Sequence, residues 1–291
     1  MTHIHWLGAG LSSLPGIRRI ASSGKKITVW NRTLAKAEYS INHTKSENVK
    51  AKKYDLDAIS LELKEGDIVI SQLSANMHIS IAEICLEKKC HFVSSSYIAP
   101  AMKDLNSKAE EKGLVFINEI GLDPGIDHFF SHLLVADLKK QDLEDFSVSY
   151  YSYCSGIPAV ANDFKYKFSW SPVGVIKALN NKAIFISNYN KKEVIPYHQI
   201  SSYDVNKENF EAYPNRNSIP YIEEYNFPQI WKIKNFVRGT LRLNGWKTAW
   251  KDIFHMLDNP EKDIEEKIKI KSDELWNQYQ YEKNEKDRVV L

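Results

Sequence analysis

Residues 4–20 read IHWLGAGLSSLPGIRRI: a short apolar run, a glycine turn, then an apolar-periodic stretch. Ile4 to Leu7 predict a strand, and Leu14, Ile17, Arg18 and Ile20 follow Gly8-Ala9-Gly10 at helical spacing. Strand, glycine turn and helix in that order is the context in which G-x-G carries meaning. Gly8 permits a tight turn, and Gly10 lets backbone approach a pyrophosphate. The helix start at Leu11, Ser12 and Ser13 offers free N–H groups and the positive end of a dipole to the anion. Ser13 stands where a third glycine is usual, which predicts slightly looser packing of helix on strand.

The next strand, Ile27 to Trp30, ends in Asn31-Arg32-Thr33. An NAD site normally has an acidic residue here for the ribose 2′-hydroxyl. Arg32 instead suits a 2′-phosphate, with Asn31 and Thr33 as further donors, so NADP is the expected cofactor. The alternation continues through a strand near Val49 to Tyr54 that leads into Asp55, then strands at Asp67–Ile70, His91–Val93 and Leu114–Ile117. Helices are predicted up to Leu63, over His78–Leu86 and over Pro100–Lys112. Six strands alternating with helices predict an α/β fold: a doubly wound, Rossmann-type parallel sheet over residues 1–124. Ligands of such sheets sit beyond the carboxyl ends of the strands. Besides the glycine turn and Asn31–Thr33, those ends carry Ser71-Gln72-Leu73, Ser94-Ser95-Ser96-Tyr97 and Glu119–Asp123.

From Asn118 to Phe130 the chain reads NEIGLDPGIDHFF, and its character changes. Asp123-Pro124-Gly125 is a turn signal ahead of the periodic Ile126, Phe129, Phe130, Leu133 and Leu134. One reading makes Asp123 a helix N-cap with Pro124 at the first helical position. The other makes Asp123 a proton-handling carboxylate at the lip of the nucleotide-binding sheet. Beyond it a second, α+β substrate domain over 125–291 is expected, with strands at Phe146–Tyr153, Ala183–Ser187, Tyr221–Tyr225 and Trp231–Val237. Residues 245–291 are predicted mostly helical, including a solvated amphipathic helix over Glu261–Gln280 with Ile264, Ile268 and Leu275 on one face. Asp287 to Leu291 reads as a strand just beginning, so a shortened C-terminal part is expected.

Composition narrows the function. Of 291 residues, 39 are basic and 37 acidic, and a net charge of +2 without a basic stripe argues against nucleic acid. No apolar run approaches the ~20 residues of a membrane helix, and the N-terminus lacks a signal-peptide pattern. Three cysteines without a C-x-x-C pair suggest neither a disulfide framework nor a metal site. A cytoplasmic enzyme acting on a small molecule is expected, with a homodimer as one option for its assembly.

With these residues laid out, SSSYIAPAM (94–102), NEIGLDPGIDH (118–128), SYCSGIPA (152–159), YKFSWSPVGV (166–175), AYPNRNS (212–218) and VRGTLR (237–242) make the chain resemble the saccharopine dehydrogenase family, in its NADP-dependent, L-glutamate-forming branch. The resemblance implies interconversion of saccharopine with glutamate and α-aminoadipate semialdehyde through an imine. It also implies Asp123, Tyr97 and Cys154 near the reacting centre, with Asp123 partly desolvated. Ser96, Tyr97, Trp170, Arg216 and Thr240 would contact substrate, Arg216 clamping a carboxylate and Trp170 walling the pocket; Arg238 could assist or pair structurally. His78 and His128 read as satisfied structural histidines. The rival readings are an opine-like or carboxy-polyamine dehydrogenase, and an NADP-binding homologue without turnover.

Overall fold

A computed structural model describes residues 2–141, 146–280 and 288–290, the last three by backbone alone. Asp287 and Leu291, part of the expected terminal strand, and the side chain of Leu11 lie outside the described residues. Two compact units divide the chain between Ile126 and Asp127.

In the first unit, β1 (His3–Leu7), α1 (Leu14–Ala21), β2 (Lys26–Asn31), α2 (Leu34–Ile41), β3 (Val49–Lys53), α3 (Leu56–Glu62), β4 (Ile68–Ser71), α4 (His78–Lys88), β5 (His91–Ser94), α5 (Pro100–Lys103), α6 (Asn106–Glu111) and β6 (Phe116–Ile117) follow one another. The strands are parallel in the order β3-β2-β1-β4-β5-β6, the doubly wound arrangement expected. The helix expected over 100–112 is instead two short helices separated at Asp104-Leu105. Leu7, Val69 and Phe92 from neighbouring strands are fully buried with Ile81, Ala82 and Cys85 of α4, which gives this half a conventional apolar core.

At the amino end of this sheet His3, His5 and Asp67 cluster, the His3 backbone N–H donating to Asp67 Oδ1 at 3.0 Å and the two imidazole rings in contact. The Trp30 indole donates to His5 Nδ1 at 3.2 Å, so Nε2 carries the proton and faces Asp67 Oδ2 at 3.5 Å. His3 Nε2 lies 2.9 Å from Thr28 Oγ1. With His5 in that tautomer, its Nε2 has no lone pair to offer a cation.

The second unit contains α7 (Ile126–Lys139, from the boundary residue on), β7 (Ser147–Ile157), α8 (Pro172–Leu179), β8 (Ala183–Ser187), β9 (Asn190–Val194), β10 (Ser201–Val205), β11 (Glu208–Pro214), α9 (Pro220–Glu224), β12 (Lys232–Leu243), α10 (Trp246–Ala249), α11 (Lys251–Asp258), α12 (Ile264–Tyr279) and β13 (Arg288–Val290). Its sheet runs β10-β11-β12-β7-β13, with β8 pairing β12 and β9. Only the β7–β12 pair is parallel among the described pairings of this sheet. Arg288–Val290 pairs antiparallel with β7, as a terminal strand should.

Three expectations are corrected. Tyr221–Tyr225 is helical, not extended: Pro220 starts α9, and Tyr221 and Tyr225, four apart, both meet the His128 ring. Asp123 is not an N-cap, because α7 begins three residues later, at Ile126. α12 is more than a solvated element, since Ile268 and Leu275 are buried in a core with Phe168, Trp246 and Trp250. The apolar run of α7 also faces an unexpected way. Phe129, Phe130, Leu133 and Leu134 are exposed, whereas Asp127, Ser131 and Val135 are the buried positions.

Candidate functional site

The first unit builds the cofactor half from its glycine turn. Gly8 has φ of 100°, and a Cβ there would stand 2.7 Å from the Gln72 carbonyl oxygen, so only glycine fits. Gly8 N–H donates to the Trp30 carbonyl and Gln72 N–H to that of Leu7, which ties the ends of β1, β2 and β4 together. At Gly10 no atom lies within 4 Å of a would-be Cβ, which leaves the backbone open to a diphosphate. Leu11 to Ser13 form a single tight turn that runs into α1, whose first amides point to the same edge.

Ser13 does not leave the helix loosely packed. A Cβ on Gly16, one turn further, would lie 2.7 Å from the Trp6 ring, so the close approach of α1 to β1 is made there. The same indole donates to the Gly8 carbonyl at 2.9 Å, which couples helix packing to the turn. Sequence reading missed Gly16, although the spacing Gly8, Gly10, Gly16 carries the signal.

Asn31 has a different task from the one expected. Its Oδ1 accepts from Ala9 N–H at 3.0 Å and its amide donates to the Thr33 carbonyl at 2.9 Å, so it buttresses the glycine turn. Arg32 and Thr33 are exposed, and among the described residues the Arg32 guanidinium has no acid or acceptor, which suits a 2′-phosphate. Asp55 caps α3, accepting from Ala58 N–H at 2.9 Å. These residues fit NADP.

The other strand ends lock onto one another. Ser95 Oγ donates to Gln72 Oε1 at 3.0 Å, and Leu73 lies beside Gly8. Ser94 is buried, donates to Asn118 Oδ1 at 3.1 Å and accepts from Ser96 N–H. Ser71 is buried against His78, 2.9 Å from its Nδ1, while Ser96 Oγ lies 2.8 Å from the other ring nitrogen. Burial lowers the His78 pKa and holds the ring neutral. The loop so fixed presents Tyr97, whose hydroxyl donates to the Asp123 carboxylate. Asp123 is exposed, so the desolvation expected of it is not present here; its phenol partner is. A cavity of about 330 Å³ lined by Ile98, Met102, Lys103, Asn106, Phe116 and Asn118 adjoins this loop.

In the second unit, Cys154 on β7 is the register partner of Thr240 on β12, and Asn215, just past β11, donates to Thr240 Oγ1 at 3.3 Å. Arg216 follows in a left-handed conformation (φ 57°), exposed, its carbonyl accepting from Ile184 N–H. Trp170 is half-exposed rather than core, its ring over Gly174 at the start of α8. Arg238, Thr240 and Arg242 alternate along β12, so their side chains share one face, and all three are buried. Arg238 is neutralised by Asp127 at 2.6 Å and lies over the Tyr221 ring, 3.9 Å from its centroid. Arg242 is different. It lies near the rings of Tyr166, Tyr213 and Trp246 and donates to Ser155 Oγ at 2.9 Å, but no carboxylate pairs with it among the described residues. Sequence reading did not single it out.

Residues 4–117 match the family described as the saccharopine dehydrogenase NADP binding domain, and residues 121–291 that described as the saccharopine dehydrogenase C-terminal domain. A saccharopine dehydrogenase [NADP(+), L-glutamate-forming] of Pyricularia oryzae is 34% identical over 278 residues, covering 90% of this chain and 60% of that protein. The mitochondrial alpha-aminoadipic semialdehyde synthase of Rattus norvegicus is 35% identical over 218 residues, covering 68% of this chain and 23% of that protein. The chain thus spans less than two thirds of the length of these relatives. The apo structure of saccharopine dehydrogenase (L-Glu forming) from Saccharomyces cerevisiae superposes with a TM-score of 0.79 at 26% identity, covering 99% of this chain and 80% of that one. In sequence, domain order and fold, the chain belongs to the saccharopine dehydrogenase family.

Proposed function

We propose that the chain catalyses reversible, NADP(H)-dependent interconversion of saccharopine with L-glutamate and α-aminoadipate semialdehyde. The observation that carries this reading is the Tyr97–Asp123 pair, a phenol hydrogen-bonded to a carboxylate at the carboxyl edge of the NADP-binding sheet. NADP accepts or supplies the hydride. Everything else in the reaction is proton movement. As the C–H bond gives up its hydride, the secondary amine loses its N–H proton and a C=N bond forms. Water then adds to that carbon. The C–N bond breaks as the nitrogen is protonated and the new hydroxyl deprotonated, which leaves an amine and an aldehyde. Asp123 is the base and acid for these transfers, and Tyr97 donates to it or to the substrate nitrogen. Cys154, on the second unit, is assigned the role of a subsidiary proton donor.

Saccharopine bears three carboxylates, and the second unit supplies cations for them. Arg242 is a buried guanidinium with no acid beside it among the described residues, and such a charge is costly unless an anion meets it. Arg216, Thr240 and Ser96 add donors, and Trp170 covers the reactants from water. A homodimer is the proposed assembly, a second copy covering the exposed Phe129, Phe130, Leu133 and Leu134 of α7; its molar mass by light scattering tests this. The cytoplasm is the proposed compartment, consistent with unpaired thiols at the buried Cys85 and Cys90.

The test is saccharopine-dependent reduction of NADP, followed by nicotinamide absorbance, for the chain and for Asp123→Asn. Turnover by the chain and a loss of about 100-fold or more in the variant are expected. Wild-type rates in Asp123→Asn would remove that residue from proton transfer. NADPH binding without turnover on saccharopine or on other secondary-amine substrates would overturn the catalytic reading.

A further inference from the structure

Beyond the residues that touch reactants, one buried side chain bridges the cofactor and substrate strand ends of the first unit. His78 is the first residue of α4, buried, with its ring edge-on to Phe92. Nδ1 lies 2.9 Å from Ser71 Oγ and Nε2 lies 2.8 Å from Ser96 Oγ. Ser71 closes β4 beside Gln72; Ser96 precedes Tyr97 and, through its carbonyl, accepts Glu119 N–H at 3.2 Å.

The geometry fixes the protons. Ser71 is wholly buried, and among the described residues its hydroxyl has no partner but His78. Were Nδ1 protonated, it would donate to Ser71 and leave the serine proton with no acceptor, the costly arrangement for a buried donor. Ser71 therefore donates to Nδ1, and Nε2–H donates to Ser96 Oγ. The Ser96 hydroxyl, with an oxygen already accepting, is left to donate outward at the half-buried loop that presents Tyr97.

We propose that His78 is a positioning residue: its Nε2–H orients Ser96 so that the serine proton points to a substrate oxygen and the Tyr97 loop is held in register with Asp123. This rests on the saccharopine reading above. A ring that served only to fill the core would affect activity only in step with stability, and this difference is measurable.

Two substitutions separate the nitrogens. In His78→Asn the amide oxygen can still accept from Ser71, but nothing reaches Ser96. In His78→Gln the terminal amide can still donate to Ser96, while Ser71 loses its acceptor. Expected for His78→Asn are a melting temperature close to that of the parent and a fall of about tenfold in kcat/KM for saccharopine. For His78→Gln, a lower melting temperature is expected together with recovery of most of that tenfold loss. NADPH affinity should be the same in both. Losses of kcat/KM that simply follow melting temperature across the two variants would overturn the proposal. The tautomer of His78 in the unmodified chain, read from long-range nitrogen–proton NMR correlations, needs no turnover: Nε2–H is expected, and Nδ1–H overturns the proposal. Absence of turnover in the unmodified chain would instead count against the catalytic reading and leave the tautomer test standing.

Discussion

Replacing Gly16 by alanine puts two effects of similar size against each other. In an ordinary helix the change is favourable by about 1 kcal/mol, because glycine gives up more backbone freedom on folding. Here the new Cβ would lie 2.7 Å from the Trp6 ring, about 1 Å inside the usual carbon–carbon separation of roughly 3.5–4.0 Å. Trp6 is buried, and its indole N–H is committed to the Gly8 carbonyl at 2.9 Å, so the ring cannot swing aside without breaking that bond. Overpacking of this kind costs about 1–3 kcal/mol, and the lost hydrogen bond about 1 more. The balance is a net destabilisation of about 1–3 kcal/mol, or a fall of roughly 2–5 °C in melting temperature for a chain of this size. NADPH affinity should weaken with it, since the displaced indole supports the phosphate turn. Thermal melts and a fluorescence titration with NADPH measure both. The companion change, Ser13→Gly, restores the usual fingerprint glycine and should bring no tighter binding, only a loss of about 0.5–1 kcal/mol. A more stable Gly16→Ala with intact NADPH binding, or a Ser13→Gly that binds NADPH more tightly, would refute the assignment of the close contact to Gly16.

Arg242→Met should leave stability unchanged or raise it, because a buried cation with no acid beside it among the described residues is replaced by an apolar chain of similar length, while the KM for saccharopine rises about tenfold or more; a chain that unfolds more readily with KM unaltered would make Arg242 a structural residue. The first unit should lose stability on acidification. Burial lowers the pKa of His3 to about 4 and also lowers those of His5 and His78, so the unfolded chain binds more protons below pH about 6.5. Their contribution is present above that pH and is lost as the pH falls toward 4. His3 alone sets a ceiling of about 3 kcal/mol, which its half-exposure reduces. Chemical denaturation at pH 7 and pH 5 should therefore show a lower midpoint at pH 5, with part of the difference removed by His3→Gln. A flat profile would contradict the burial of these rings.

The nucleotide-binding half was readable because its signals are local. Apolar runs, glycine turns and helical periodicity are all set within a few residues, and strand order follows from the right-handed crossover. The second half conceals its hairpins. β9 (NKKEV) is polar and exposed, and β10 (SSYDV) and the start of β11 (ENFEA) carry only a two-member alternation each, Tyr203 with Val205 and Phe210 with Ala212. What marks them is turn chemistry: Asn188-Tyr189 and Asn206-Lys207 both adopt positive φ in two-residue loops, the geometry of a tight hairpin in which asparagine is favoured. Tyr221–Tyr225 misled in the opposite direction, aromatic residues suggesting a strand while Pro220 at the first position signalled a helix.

The site shows a limit of another kind. Arg238, Thr240 and Arg242 are two residues apart on one strand, and the period-two alternation of a strand is enough to put all three on one face. What that alternation cannot say is which arginine is already neutralised. The answer depends on Asp127, 111 residues away in sequence, which sits on the buried side of α7 while the large apolar residues of the same helix face out. Reading α7 by its apolar stripe alone would turn it over and take Asp127 from Arg238. The inverted helix therefore decides the electrostatics of β12. Pairing Arg238 makes it a strut between α7 and the sheet, and leaves Arg242, enclosed by aromatic rings and without a carboxylate among the described residues, as a buried charge that calls for an anion.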